Sequence, residues 1–153
     1  MPASNFRDPT TAWRNEDRVL HLAVGASLNS SVGGILVYRS IDFLNWELAS
    51  TLFSDPTYGN MFECPDFFEM DNTGKKSVVK FSSSSQRRDL FAVGSYNQKS
   101  NTFSPIWKIQ PLDLGGNVYA SKSFFDSLTA RRIYFSWVDE GDNKGVQRGF
   151  IQT

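Results

Sequence analysis

The stretch RVLHLAVGA, Arg18–Ala26, followed across the polar turn Ser27–Val32 by GGILVYRS, Gly33–Ser40, decides the fold. Both runs are apolar and rich in β-branched residues, and both are bounded by Ser, Asn and Gly. They read as two strands joined by a short connection. A third strand, Asn45–Phe53 (NWELASTLF), enters through the turn Ser40-Ile41-Asp42. The same grammar repeats downstream. Asp66–Met70 ends at the turn Asp71-Asn72-Thr73-Gly74, and Lys76–Ser82, Asp89–Tyr96 and Thr102–Lys108 follow. Val118–Phe125 and Arg131–Val138 flank Asp126-Ser127-Leu128-Thr129, and Gly145–Gln152 is the last run. No segment of about 12 residues carries the period of an amphipathic helix. The chain is therefore predicted to be all-β: a sandwich, a barrel or a propeller. The strands fall into sets of three or four, each set about 45 residues long, which suits propeller blades better than one closed barrel. Ser82-Ser83-Ser84-Ser85 reads as a polar strand connection, too short for a linker.

The bulk numbers narrow the function. The chain has 153 residues, with 16 basic and 16 acidic side chains and a formal net charge of zero. This balance gives no electrostatic reason to expect nucleic acid or an anionic membrane as partner. No run of about 18 apolar residues predicts a membrane span, and Met1-Pro2-Ala3-Ser4-Asn5 has neither the basic region nor the apolar core of a signal peptide. The single cysteine, Cys64, excludes an internal disulfide and a multi-cysteine zinc site. The single histidine, His21, argues against a histidine metal site or catalytic triad, and no cofactor is expected. Both ends are abrupt: Asp8 precedes every strand read above, and Ile151-Gln152-Thr153 stops at a strand. The expectation is a piece of a longer protein.

Two carboxylates stand out. Glu63 lies in Met61-Phe62-Glu63-Cys64-Pro65-Asp66-Phe67-Phe68, and Asp8 lies about 55 residues earlier in Phe6-Arg7-Asp8-Pro9-Thr10-Thr11-Ala12-Trp13. Each stands near a proline and among aromatic residues. A carboxyl packed among apolar rings ionises reluctantly and can serve as a general acid. Two carboxylates on one scaffold are the minimum for cleaving a glycosidic bond. The plainer readings are a strand-edge surface glutamate and a turn aspartate before proline. Cys64 reads as a small apolar filler that shapes the surroundings of Glu63. Asn29-Ser30-Ser31 is a glycosylation sequon in a predicted loop, compatible with a secreted or vacuolar protein.

These segments together resemble glycoside hydrolase family 32, the invertase, inulinase and fructan-enzyme family. Phe6-Arg7-Asp8-Pro9 resembles its R-D-P motif, and Met61–Phe68 resembles M-W-E-C-P-D-F-F. Tyr119-Ala120-Ser121-Lys122-Ser123-Phe124-Phe125-Asp126, with Arg131-Arg132-Ile133 and Trp137, resembles the Y-A-S-K-T-F-Y-D, R-R-I and W-G-W run. Tyr38-Arg39-Ser40 with Asp42-Phe43 and Trp46 matches the blade signature Y-R-S-x-D-F-x-x-W. The resemblance implies part, about three blades, of a five-bladed β-propeller. Residues 1–153 would form a partial catalytic domain, roughly the second to fourth blades. The first blade with the nucleophile motif W-x-N-D-P-N-G, the last blade and the C-terminal β-sandwich would lie outside it. The related arabinosidase propellers fit less well, because of E-C-P-D and Y-A-S-K.

The resemblance also implies roles. Glu63 would be the acid/base of a retaining β-fructofuranosidase acting on sucrose or fructans, and Asp8 the transition-state stabiliser. Arg7 would keep Asp8 ionised or form a surface ion pair. Phe62, in place of the usual Trp, would keep an apolar wall of the sugar pocket without the indole donor. Cys64 would shape the site, Asp66 would support it, and Tyr119 and Lys122 would line its rim. Plant invertases carry S-L-D-D-T-K-H-D where this chain has Ser82–Asp89, so Ser84 stands at an Asp position and Arg87 at a Lys position. Arg does not replace Lys neutrally, and fructan hydrolysis or transfructosylation fits as well as sucrose hydrolysis. The parent protein is expected to be extracellular or vacuolar. The rival reading is a catalytically incomplete fragment or a degenerate sugar-binding copy.

Overall fold

The computed structural model describes residues 2–70, 75–115 and 118–138. Its strands are β1 (Phe6–Arg7), β2 (Trp13–Arg14), β3 (Leu20–Ser27), β4 (Gly33–Ser40), β5 (Glu47–Ser54), β6 (Phe62–Glu69), β7 (Ser77–Ser83), β8 (Arg88–Asn97), β9 (Thr102–Pro105), β10 (Gln110–Pro111), β11 (Val118–Asp126) and β12 (Arg131–Val138). The turn at Asp71-Asn72-Thr73-Gly74 and the strand read at Gly145–Gln152 lie outside the described residues.

All pairings are antiparallel. The first sheet runs β1-β3-β4-β5, with β2 also on β3. Arg7 lies opposite Gly25 and Trp13 opposite His21, so β1 and β2 form one interrupted row along a single neighbour. The second sheet runs β10-β8-β7-β6, and β9 and β10 share the outer side of β8 in the same way. β11 and β12 form a hairpin that opens a third sheet. The described chain is thus two four-row blades and the first hairpin of a third, a sector of a β-propeller.

Local chemistry explains most boundaries. β4 and β12 fall on the predicted ranges. β3 begins after Arg18, which takes a left-handed backbone (φ 63°) and donates its N–H to Asn15 O at 2.8 Å. β5 begins at Glu47 because Asp42 Oδ1 accepts the N–H groups of Leu44 and Asn45 at 2.9 and 2.8 Å, which commits those residues to a turn. β6 begins earlier than predicted, at Phe62. The blade spacing is also longer than predicted: the inner-strand residues Arg7, Glu63 and Tyr119 recur every 56 residues.

The core lies between the first two blades. Ala23, Ile35, Val37 and Leu52 face Phe62, Val79, Phe81, Leu90, Ala92, Phe103 and Ile109. Phe62 stacks on Phe81 with ring centroids 4.0 Å apart. His21 is buried, stacked on Trp13 at 5.9 Å, with Nδ1 3.0 Å from Val19 O. The blades approach closely at Gly25, where a Cβ would stand 2.2 Å from the Phe62 carbonyl oxygen and 3.3 Å from Glu63 Cα. Rigid backbone cannot absorb that overlap. Gly25→Ala is expected to cost about 1–3 kcal/mol, as overpacking does, read as a lower denaturant midpoint. An unchanged midpoint would mean that β3 and β6 separate freely.

Candidate active site

Each inner strand breaks its ladder at the same level. β1 stops at Arg7, β6 shifts register between Glu63 and Asp66, and β11 shifts between Tyr119 and Lys122. At each break one non-glycine residue takes a left-handed backbone: Asp8 (φ 59°), Cys64 (φ 46°) and Ala120 (φ 55°). That conformation costs an L-residue about 1–2 kcal/mol, so the surrounding packing must impose it. Arg7-Asp8-Pro9, Glu63-Cys64-Pro65 and Tyr119-Ala120-Ser121 are therefore three copies of one structural event. The residue before each left-handed position projects towards the same point.

There the side chains meet. Arg7 Nη1 pairs with Glu63 Oε1 at 2.9 Å, and the Tyr119 hydroxyl donates to Glu63 Oε2. Arg7 Nη2 also donates to Ser4 O at 2.5 Å. Burial, and next the hydrogen bond to Glu63, push the Tyr119 phenol up, which keeps it a donor. Asp8 sits at the second break, where Oδ2 accepts the Cys64 N–H at 3.0 Å and the Cys64 thiol at 3.5 Å. Burial, then the negative charge of Asp8, push that thiol up to about 12, so it stays protonated as the donor.

Several expectations need correcting. Glu63 is not packed among rings: strand alternation sends Phe62 to the opposite face, into the interblade core, where it is fully buried. Phe62 is thus no wall of a sugar pocket. Of the two roles expected for Arg7, the structure shows the ion pair, made with Glu63 rather than with Asp8. Asp8 is not ahead of all support either, since β1 holds Arg7 against β3 and Cys64 anchors the carboxylate itself. Ser84 is turned to the backbone, its N–H and Oγ 3.2 and 3.3 Å from Met61 O. Arg87 is exposed and sits 5.8 Å from the centroid of the Tyr119 ring, a cation–π distance that places it beside the Glu63 cluster. Lys122 spends its ammonium on backbone, donating to Pro65 O at 2.8 Å and Pro9 O at 3.3 Å, with Asp66 Oδ1 at 3.7 Å. It clamps the first two breaks together.

The sequence reading missed Lys80 and Asp89, both almost completely buried. Lys80 Nζ donates to Cys64 O at 2.7 Å and to Ser121 O. Burial pulls its ammonium down, and Asp89 and Asp66 oppose that pull. Asp89 accepts the Ser82 hydroxyl at 2.5 Å, the Ser121 N–H at 3.0 Å and the Ser121 hydroxyl. The available signal was one lysine inside the otherwise uncharged strand SVVKFSS. A cavity of about 470 Å³ lies further along the inner strands, lined by Trp13, Asp66, Phe67, Phe124 and Arg132, and neither Glu63 nor Asp8 borders it.

Blades whose inner edges converge on two anchored carboxylates define a sector of a β-propeller with an acidic site on its inner strands. The family description "Glycosyl hydrolases family 32 N-terminal domain" matches residues 2–152, and the chain belongs to this family. It is 34% identical over 180 aligned positions to an insoluble β-fructofuranosidase, isoenzyme 7, from Oryza sativa subsp. japonica, covering all of this chain and 30% of that protein. It is 35% identical over 186 positions to a fructan 6-exohydrolase from Triticum aestivum, covering all of this chain and 31% of that protein. Among solved structures it matches a fructan 1-exohydrolase IIa variant from Cichorium intybus in complex with 1-kestose. The TM-score is 0.76 at 30% identity, over 90% of this chain and 28% of the other. The chain thus spans about 30% of the length of the curated relatives it matches.

Proposed function

We propose that the chain is the acid/base-bearing sector of a retaining β-fructofuranosidase acting on sucrose or fructans. The observation that carries this reading is the convergence of Arg7, Glu63 and Tyr119 beside the anchored carboxylate of Asp8. Glu63 gives a proton to the leaving glycosidic oxygen as a carboxylate nucleophile takes the fructosyl group. It then takes a proton from the incoming water, or sugar hydroxyl, that attacks the intermediate. The ion pair with Arg7 and the hydrogen bond from Tyr119 hold the Glu63 carboxyl in place for both half-reactions. Asp8 holds fructosyl hydroxyls while positive charge develops on the ring.

W-x-N-D-P-N-G, which the resemblance ties to the nucleophile, does not occur in the 153 residues. We therefore assign the chain to the second to fourth blades of a partial catalytic domain, with the nucleophile supplied by another blade. That same missing motif favours the second reading, a degenerate sugar-binding copy. One similar protein is named as vacuolar, from Arabidopsis thaliana, and others as insoluble, which supports our assignment of the whole protein to a vacuolar or extracellular site. Among the described residues no helix is long and apolar enough to cross a membrane.

The test is an assay of the complete protein on sucrose and on 1-kestose, with the anomeric form of released fructose followed by NMR. Release of β-fructose as the first product is expected. Binding of either sugar without release would support the sugar-binding reading.

A further inference from the structure

We propose that Lys80 is a positioning residue: its ammonium ties the second inner-strand break to the third and so fixes Glu63 against Tyr119. The inference rests on the assignment of Glu63 as acid/base.

The argument begins with the breaks. A bulge removes residues from the ladder and leaves backbone groups needing other partners. Pairing skips Cys64 and Pro65 on β6, and Ala120 and Ser121 on β11. Lys80 Nζ takes one carbonyl from each gap, Cys64 O and Ser121 O. Cys64 directly follows Glu63, and Ser121 is two residues from Tyr119, so one cation joins the backbones on which both partners of the Glu63–Tyr119 hydrogen bond stand. Asp89, on the neighbouring strand β8, holds the Ser121 N–H and hydroxyl and so braces the third break from the other side.

A neutral filler would suit a purely structural role better. Lys80 is 3% exposed, and a buried ammonium costs more than an apolar side chain of like size unless it is well paired. It is kept here where three donors on one flexible stem reach two strands at once, which no apolar residue does. Because the breaks carry left-handed non-glycine residues at Cys64 and Ala120, their geometry depends on such external ties.

The experiment compares Lys80→Met with the parent in the complete protein, on sucrose and on p-nitrophenyl β-fructofuranoside. The nitrophenolate leaves without protonation, so its release does not need a well-placed Glu63. On sucrose, kcat is expected to fall about 100-fold, the loss typical of a misplaced catalytic group, with KM little changed. On the aryl fructoside kcat/KM, which reports only the steps up to nitrophenolate release and not the base-assisted breakdown of the glycosyl-enzyme, is expected to fall much less. Removing Lys80 leaves the Asp89 charge uncompensated and endangers folding, so Lys80→Met/Asp89→Asn is measured alongside and is expected to keep the same selective loss. Unchanged sucrose turnover, or an equal loss of kcat/KM on both substrates, overturns the proposal. Glu63→Gln separates the two assumptions. If it leaves sucrose turnover intact, the acid/base reading has failed. If it abolishes turnover while both Lys80 variants stay at the parental kcat, only the positioning role has failed.

Discussion

Glu63→Gln in the complete protein is expected to lower kcat on sucrose by about 10²–10⁴-fold, the usual contribution of a positioned general acid/base. The amide keeps the volume and still accepts the Tyr119 hydroxyl, but it neither gives nor takes a proton at this step. The fold should survive. The pair with Arg7 is solvent-accessible, with Arg7 and Glu63 side chains 44% and 19% exposed, and exposed ion pairs contribute about 0–1 kcal/mol. The thermal midpoint should therefore move little while turnover collapses. Added azide should restore breakdown of the glycosyl-enzyme, because that anion attacks without a general base. Full sucrose turnover in the variant would remove Glu63 from the mechanism.

Asp8→Asn should give the second large loss, about 10²–10³-fold in kcat, the range seen when one preorganised transition-state contact is removed. The substitution is chosen for the backbone. Asp8 is left-handed at φ 59°, and Asn is among the few side chains that tolerate this region. Its amide oxygen can keep the bond from Cys64 N–H that Asp8 makes at 3.0 Å. Charge is thus removed with the kink retained, and the loss should appear on sucrose and on an activated aryl fructoside alike. That pattern separates a group stabilising the ring from one protonating the leaving oxygen. Asp8→Ala should lose the same activity and also stability, since alanine fits the left-handed position poorly and provides no acceptor. If Asp8→Asn keeps the parental kcat, Asp8 is only the turn aspartate of the break.

Both residues stand in surroundings that the chain did not disclose. Glu63 was conspicuous for its aromatic neighbours, yet those neighbours do not surround it. Adjacent residues on a strand point to opposite faces, so Phe62 enters the core while Glu63 meets Arg7 and Tyr119. Proximity in sequence suggested an apolar pocket, and proximity in space supplied a guanidinium and a phenol. Asp8 shares that proline-and-aromatic context, and Cys64, whose sequence position suggests a residue shaping the surroundings of Glu63, instead anchors Asp8. Lys80 and Asp89 carried too little signal for selection, because one charged residue in a strand reads as an outward-facing position until the neighbouring blade is in place.

What the sequence determined by itself is local: the all-β class, the strands β4 and β12 residue for residue, and the existence of a turn at Ser40-Ile41-Asp42. Alternation and turn capping act over two to four residues, and one chain segment contains all the information they need. The two-residue strands β1, β2 and β10 escaped because they are too short to show alternation, and the 56-residue repeat escaped because its copies share geometry more than side chains. Tertiary structure alone decided that three non-glycine residues would turn left-handed at one level, that Arg7 would face Glu63 rather than Asp8, and that two lysines would hold the breaks. Each of these depends on packing between blades that approach within a single missing Cβ at Gly25, a contact between residues far apart in the chain that no local pattern encodes.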